Sequence, residues 1–205
     1  LGAVHAGISG VYAYPGTPST EITEFIQANA PQVRSKWCTN EKTAMEAALG
    51  MSYAGKRALV CMKHVGMNVA ADAFVNSGIT GIHGGLVVLA ADDPSMHSSQ
   101  NEQDSRHYAM GAKVMMLEPA DSAECLDYAK RAFELSEKFD TPFILRICTR
   151  IAHSQSIVET GDRNECPIKD YSKDIPKFVM MPANAKKRHP VVEQRTLDIA
   201  EFAEN

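Results

Sequence analysis

Apolar and polar positions follow two alternating patterns along the first 150 residues. Short apolar runs predict strands, and most are followed by a polar turn and then by apolar residues spaced every three or four positions, which predict a helix. The predicted strands are residues 10–14, 33–38, 57–62, 85–91, 113–117 and 142–148. The predicted helices cover about residues 17–28, 41–54, 68–76 and 122–138. This order predicts an α/β fold, a doubly wound and mainly parallel six-stranded sheet with helices on both faces.

Several helix ends and core positions can be read from single residues. Asn40 is the expected N-cap of a helix that begins at Glu41, and Gly55 is expected to end that helix. Thr17, followed by proline, is typical of a helix start. Three large apolar residues of the helix at 122–138 and its end are expected to pack on the sheet: Phe133, Leu135 and Phe139.

The regular pattern is lost after about Glu159. Residues 160–188 are rich in Pro, Lys, Asp and Asn, and residues 191–203 predict an amphipathic helix with no layer of its own to pack against. Residues 1–6 resemble the end of a helix whose preceding strand is missing. We therefore expect a domain at 1–159, whose first strand lies outside the sequence, and a linker with a terminal helix at 160–205 that lead to further domains.

Composition restricts the class of protein. The chain has 205 residues, of which 44% are apolar, and this is enough for one sizeable core. With a net charge of −4, the chain has no excess of positive charge that would bind nucleic acid or an anionic membrane. No apolar run approaches the roughly 20 residues that span a bilayer. We expect a soluble, cytoplasmic protein that binds neither nucleic acid nor a membrane. The five cysteines are widely spaced without a Cys-x-x-Cys pair, so we expect mostly buried thiols and no zinc or iron–sulfur ligands.

Polar residues are concentrated where predicted strands end. They occupy the turn at 14–19, the helix start at Glu41 and the turn at 63–68, and a long polar loop at 91–106 follows the next strand. The carboxyl ends of parallel strands meet at one edge of an open sheet, which is where such sheets bind ligands. Long polar loops on rigid scaffolds usually carry function. The sequence therefore predicts a binding site at this edge.

These polar segments also resemble a known family. Tyr-Pro-Gly-Thr-Pro-Ser-Thr-Glu at 14–21, Asn-Glu-Lys at 40–42, and the segments 62–72 and 91–106 are similar, in the same order, to the N-terminal part of the α subunit in the indolepyruvate:ferredoxin oxidoreductase family. That family belongs to the thiamine diphosphate-dependent 2-oxoacid:ferredoxin oxidoreductases. The resemblance extends to about residue 154 and more loosely through residues 181–190.

The resemblance implies that this region is the pyrimidine-binding (PYR) domain of a thiamine diphosphate enzyme. Glu41 matches the family's cofactor-activating glutamate, whose carboxyl group bonds to N1′ of the aminopyrimidine and so promotes removal of the proton from C2. His64 and Asn68 are expected to contact the cofactor, and the Thr17 hydroxyl is expected near the substrate. In the long loop, His97, Gln103 and Arg106 are expected to cover the substrate carboxylate, since arginine offers a fixed fork for that group.

The resemblance also implies cofactors and partners outside this chain. Another domain would hold the cofactor's diphosphate through Mg²⁺, and iron–sulfur clusters would lie elsewhere in the full enzyme. The partners would be that diphosphate-binding domain, a second subunit, ferredoxin and coenzyme A, in an oligomer. No metal site is predicted in this chain, because the acidic residues of the long loop do not have calcium-loop spacing. The fragment alone is expected to be inactive.

Each assignment has a simpler alternative. Glu41 would suit any helix start by complementing the helix dipole, Thr17 and Asn68 would serve as helix caps, and His64 would be a solvated loop residue. The long loop would pack on a neighbouring subunit. Two other functions also remain open: the α subunit of a non-oxidative thiamine-dependent decarboxylase of the sulfopyruvate or phosphonopyruvate type, and a non-catalytic domain that binds a ligand or stabilises an assembly.

Overall fold

A computed structural model describes residues 1–171 and 173–204 and contains a six-stranded parallel sheet. The strands are β1 (Gly10–Ala13), β2 (Arg34–Trp37), β3 (Ala58–Lys63), β4 (Leu86–Asp92), β5 (Met115–Leu117) and β6 (Phe143–Cys148). Their order across the sheet is β2-β1-β3-β4-β6-β5, and every neighbouring pair is parallel. The predicted fold class, a doubly wound parallel sheet, is confirmed.

Helices cover both faces of this sheet. They are α1 (Gly2–His5), α2 (Thr20–Asn29), α3 (Glu41–Tyr53), α4 (His64–Thr80), α5 (Arg106–Ala112), α6 (Ser122–Phe139), α7 (Thr149–Ala152), α8 (Ile175–Phe178) and α9 (Pro182–Glu204). One core contains residues of α1, α2 and α6, and the other contains residues of α3, α4 and α5. Alternate residues of each central strand enter the two cores, as the period of a strand requires. Phe133 is fully buried, and Leu135 and Phe139 pack against the first core, as predicted.

The strand order creates a crevice between β1 and β3. The chain passes from β1 to β2 on one side and then returns to β3 on the other, so the loops after β1 and β3 diverge. Ala13 pairs with both Trp37 and Cys61, so β1 and β2 end at the same level and β3 continues beyond them to Lys63. Ligands of open α/β sheets bind at such a switch point. The predicted site therefore has a defined location.

Two helices begin at other residues than predicted. α4 begins at His64 and not at Asn68, because Lys63 already has the extended conformation of an N-cap and the chain turns into the helix directly after the strand. α2 begins at Thr20 and not at Thr17. The alternatives that made Asn68 and Thr17 helix caps are therefore wrong.

The prediction that the terminal helix lacks a layer to pack against is also wrong. α9 begins at Pro182 and packs on α4, with Val192 almost fully buried. Arg188 donates from Nε to the Ile79 carbonyl (3.0 Å), and Arg195 donates to the Gly78 carbonyl (2.5 Å). The last carbonyls of a helix lack intrahelical partners, and basic side chains satisfy them. This long-range pairing cannot be read from the apolar periodicity of α9 alone.

Residues 160–171 also lie against the domain. Arg163 donates to the Val4 and Ile8 carbonyls at 3.0 Å, and the Lys169 amide donates to the Gly55 carbonyl at 3.0 Å. Gly55 has a φ of +81°, and a methyl group there would lie 2.1 Å from the Lys169 carbonyl oxygen, so this contact requires glycine. The border at residue 159 stays a prediction. In the described part of the chain, no helix has the length and apolar character needed to cross a membrane.

Candidate functional site

Glu41 begins α3 beside the crevice, and its local fold follows the sequence rule for a helix start. The Asn40 side chain accepts a hydrogen bond from the Thr43 amide at 2.9 Å, which confirms Asn40 as the N-cap. The cap fixes the position of Glu41 in the first helical turn. Unlike most first-turn acids, Glu41 is only 9% exposed, because α4 packs over it.

The Glu41 carboxyl group lies against the backbone of Gly66 in the first turn of α4. A methyl carbon built on Gly66 would lie 2.6 Å from Cγ and 2.7 Å from Oε1 of Glu41. Among residues 1–171 and 173–204, no group donates a hydrogen bond to this carboxyl and no cation pairs with it. A carboxyl group without a protein partner, on a residue with little exposed surface, is available to bind a ligand in the crevice. Gly66 was not predicted as a site residue; its only signal is a glycine in a helix start.

His64 is the first residue of α4, and its side chain is fully buried. Neither ring nitrogen has a hydrogen-bond partner. Burial lowers its pKa; the charge of Asp92 opposes this shift, and the charge of Lys63 adds to it. A neutral imidazole offers one donor and one acceptor, and both are unused here. The alternative of a solvated loop histidine is therefore wrong.

Thr17 and Asn68 are both exposed. In the turn after β1, the Gly16 amide donates to the Thr20 hydroxyl at 2.8 Å, so the Thr17 hydroxyl has no role in closing the turn. Asn68 lies in the second turn of α4, where its side-chain oxygen accepts a hydrogen bond from the Tyr108 hydroxyl. Contacts of Thr17 with substrate and of Asn68 with cofactor stay predictions.

Two buried aspartates at the end of β4 anchor the long loop of residues 93–105. Asp92 accepts from the Ser105 amide (3.0 Å) and from Arg146 Nε (2.7 Å). Asp93 accepts from the Ser98 amide (2.8 Å) and the Thr149 hydroxyl (2.7 Å). Burial alone would raise the pKa of Asp93, but the hydrogen bonds hold it well below its usual range. These carboxylates serve as acceptors for the loop.

The three predicted loop residues make their polar contacts within the loop or not at all. Arg106 donates from Nε to both oxygens of Asp104 at 2.9 and 3.0 Å, and this bond lowers the pKa of Asp104 to about 2. Gln103 donates to the Asn101 side chain at 2.9 Å, and His97 is exposed. The guanidinium of Arg106 is therefore already engaged by a carboxylate.

Lys63 is a second residue that the sequence did not identify. It ends β3, is 8% exposed, and donates from Nζ to the Ser98 carbonyl of the long loop. A methyl carbon on Gly16 would lie 3.3 Å from Cβ of Lys63. Lys63 therefore contacts the loops that follow β1 and β4. No local sequence signal distinguishes it from a solvent-exposed lysine.

The cysteines and acidic residues form no metal centre in the described part of the chain, which contains no cluster of three or more His, Cys, Asp or Glu ligands. Only Cys61 is fully buried, and burial raises its pKa to about 12. The other four cysteines are half-buried, so the prediction that most are buried is wrong. They lie at partly exposed positions at strand ends, on helix α6 and in the segment of residues 160–171.

An apolar groove of about 410 Å³ lies on the opposite face of the sheet, between α2 and α6. Its walls include Phe25, Leu126 and Phe133, and it contains none of the predicted site residues. The predicted site residues therefore lie outside this apolar groove.

Comparisons with known proteins identify the family of this chain. The family profile described as pyruvate flavodoxin/ferredoxin oxidoreductase, thiamine diphosphate-binding, matches residues 1–199. The indolepyruvate oxidoreductase subunit IorA of Archaeoglobus fulgidus is 44% identical over 98% of this chain and 34% of its own length. The IorA subunit of Thermococcus kodakarensis is 46% identical over 100% of this chain and 33% of its own length. This chain thus spans about a third of these curated relatives.

A solved structure shares the fold. The 2-oxoglutarate:ferredoxin oxidoreductase from Magnetococcus marinus, with 2-oxoglutarate, coenzyme A and succinyl-CoA bound, superimposes with a TM-score of 0.74 and 18% identity, over 98% of this chain and 43% of that one. At this identity the likeness concerns the fold alone. The family profile covers nearly the whole chain, and the chain therefore belongs to the thiamine diphosphate-binding domain family of the pyruvate flavodoxin/ferredoxin oxidoreductases.

Proposed function

We propose that this chain is the pyrimidine-binding part of a 2-oxoacid:ferredoxin oxidoreductase that converts an aryl pyruvate, such as indolepyruvate, to acyl-CoA, CO₂ and reduced ferredoxin. The observation that carries the proposal is the Glu41 carboxyl group, which lies against Gly66 beside the switch point of the sheet, on a residue only 9% exposed, and has no partner among the described residues. The names of the relatives support the choice of substrate.

The residues present fit one half of thiamine diphosphate, the aminopyrimidine. Glu41 offers an unused carboxyl group, and the bare Cα of Gly66 leaves the space that this carboxyl group occupies. His64 offers a buried donor and a buried acceptor without partners. The diphosphate requires a cation, and the described residues include no cluster that would hold one. The chain therefore fits the ring but needs another domain for the charged end.

When bound, thiamine diphosphate supplies a carbon nucleophile for the 2-oxo carbon and accepts the electrons released on decarboxylation. Glu41 would hold a proton at N1′ of the pyrimidine, which is the acid–base contribution of this chain. Packing of α3 against α4 keeps water from most of this residue, and a lower local dielectric strengthens a hydrogen bond from its carboxyl group. His64, kept neutral by burial, would donate or accept a hydrogen bond without adding charge.

Other residues of this chain, and other parts of the full enzyme, would complete the site around Glu41 and His64. Asn68 is proposed on the cofactor side, and Thr17, His97, Gln103 and Arg106 on the substrate side. The remaining two thirds of the relatives' length would provide the domain that binds Mg²⁺ and diphosphate, and the iron–sulfur clusters. Ferredoxin, coenzyme A and a second subunit would complete a cytoplasmic oligomer.

The test uses the full-length subunit assembled with its partner. Glu41→Gln keeps the size of the side chain but removes its acidic proton, so we expect hydrogen–deuterium exchange at C2 of bound thiamine diphosphate to slow by about 10²–10⁴-fold. Ferredoxin reduction with indolepyruvate should fall in parallel. The thermal midpoint should change little, because a helix-start charge contributes only about 0.3–1 kcal/mol.

Glu46→Gln is the matched control, since Glu46 is an exposed glutamate on the same helix. This variant should exchange C2 at the wild-type rate. Wild-type exchange in Glu41→Gln would reduce Glu41 to a helix-start residue. Release of free aldehyde without ferredoxin reduction by the wild-type assembly would instead identify a non-oxidative decarboxylase.

A further inference from the structure

Lys63 lies where three parts of the candidate site converge. It is the last residue of β3, its Cβ lies beside Gly16 of the loop after β1, and its ammonium group donates to Ser98 of the loop after β4. The residue that follows it begins α4, whose amino end carries a partial positive charge. The ammonium group and the helix end therefore both contribute positive charge at this position, close to the carboxylates of Asp92 and Asp93.

The ammonium group has unused capacity to bind an anion. It has three N–H donors, of which one is used by a neutral carbonyl oxygen. Within the part of the chain that the structure describes, no carboxylate forms an ion pair with it. Asp93 feels its charge at longer range, but that carboxylate is occupied by Ser98, Ser99 and Thr149. A buried cation with only one neutral partner is costly unless a negative group is supplied.

His64 is the second observation at this place. It is adjacent to Lys63, its side chain has no exposed surface, and both ring nitrogens lack partners. Buried polar atoms in folded proteins are nearly always hydrogen-bonded, and exceptions require an explanation. A cation with free donors, followed directly in the chain by an imidazole with a free donor, offers the donors that bind a carboxylate.

We propose that Lys63, with His64 beside it, binds the carboxylate of the 2-oxoacid substrate. The proposal rests on the proposed function and deepens it, because it assigns the group that selects for 2-oxo acids. The incoming carboxylate replaces the Ser98 carbonyl on Lys63, so part of the loop at 94–101 moves aside when substrate enters. The bonds of Asp92 to Ser105 and of Asp93 to Thr149 keep both ends of the loop in place during this exchange, whereas the bond from the Ser98 amide to Asp93 has to break.

This assignment differs from the expectation for Arg106. The guanidinium of Arg106 donates to both oxygens of Asp104, so a substrate carboxylate would have to displace an existing carboxylate. Arg106 is also exposed, where a charge pair contributes little. Lys63 has no such competitor and lies at the crevice itself.

The experiment removes the ammonium from the protein and the carboxylate from the ligand. The full-length subunit with its partner is prepared as wild type, Lys63→Met, Arg106→Met and Lys36→Met. Lys36 is the matched control, because it is an exposed lysine on strand β2, which β1 separates from β3. Inhibition constants are measured for indole-3-acetate and for its neutral amide, together with KM and kcat for indolepyruvate and a thermal melt.

We expect the wild type to prefer the acid over the amide by roughly 10- to 100-fold, as a charge-assisted hydrogen bond provides. Lys63→Met should lose this preference and raise KM by a similar factor, while its affinity for the amide stays near wild type. Lys36→Met should behave as wild type. The amide serves as the folding control, because a merely structural lysine would affect both ligands equally.

Three results overturn the proposal: equal loss of acid and amide binding in Lys63→Met, an unchanged preference for the acid in that variant, or loss of the preference in Arg106→Met alone. Each of these leaves the proposed function standing if the wild type reduces ferredoxin with a 2-oxoacid. The proposed function itself is overturned if the wild-type assembly fails to reduce ferredoxin with any 2-oxoacid.

Discussion

Gly66→Ala should separate the stability of the domain from its chemistry. The added methyl carbon would lie 2.6 Å from Cγ of Glu41, whereas two carbon atoms in contact need about 3.5 Å. Glu41 must therefore move by about 1 Å, and a misplacement of about 1 Å in an active site can reduce the rate about 10²-fold. We expect C2 exchange in bound thiamine diphosphate to slow by about that factor.

The free energy of unfolding should respond far less. Alanine is favoured over glycine in a helix by up to roughly 1 kcal/mol, and a displaced Glu41 rotamer costs about 0.5–1.5 kcal/mol, so the two effects nearly cancel. A net change of about 1 kcal/mol would shift the thermal midpoint by about 2–4 °C in a chain of this size. Gly50→Ala is the matched control, since a methyl group there meets nothing within 4 Å. It should stabilise the helix and leave exchange unchanged.

A second step tests whether the methyl group acts through Glu41. In a double-mutant cycle, Gly66→Ala added to Glu41→Gln should reduce exchange little further, because the carboxyl group is already lost. The measurement is C2 exchange by proton NMR after acid quench, with cofactor occupancy determined in each variant. Exchange at the wild-type rate in cofactor-loaded Gly66→Ala would refute the inference that this contact positions the catalytic carboxyl.

Two further predictions concern the chain itself. Thiamine diphosphate with Mg²⁺ should bind residues 1–205 alone weakly or not at all in a calorimetric titration, because the described residues offer the diphosphate no metal cluster; a micromolar dissociation constant would contradict the two-domain site. Burial raises the pKa of Cys61 from 9.0 to about 12, so the unfolded state loses this proton first and the free energy of unfolding should fall as pH rises above 9, by up to about 1.4 kcal/mol per pH unit. Chemical denaturation between pH 8 and 11 should show a steeper decline for wild type than for Cys61→Ala, and parallel declines would contradict the assigned shift.

Local rules explain what the sequence predicted well. Asn40 and Glu41 are a cap and a first-turn acid, so their structure depends on residues three positions apart, and the cap is confirmed at 2.9 Å. The strands follow from apolar runs for the same reason. Phe133 could be assigned to the core because its helix is amphipathic over many turns. The edge of the sheet that carries the site then follows from the parallel order.

The missed features are those that join distant segments. Whether Gly66 permits a close approach depends on how α3 packs against α4, and the Lys63 contact joins residues 35 positions apart. The burial of His64 likewise depends on its neighbours in the fold. For α9, apolar periodicity indicated a free helix, whereas Arg188 and Arg195 attach it through backbone carbonyls that no side-chain pattern encodes.

The arm formed by residues 160–171 has a practical consequence for dividing this protein. Its backbone passes so close to Gly55 that the two segments fit together only without a side chain there, and Arg163 satisfies carbonyls beside the first strand. A chain cut at residue 159 would leave those carbonyls bare and would uncover the end of α4. Anyone exchanging this module between subunits, or producing it for crystallisation, should therefore place the cut beyond α9 and move the arm and the sheet as one inseparable piece.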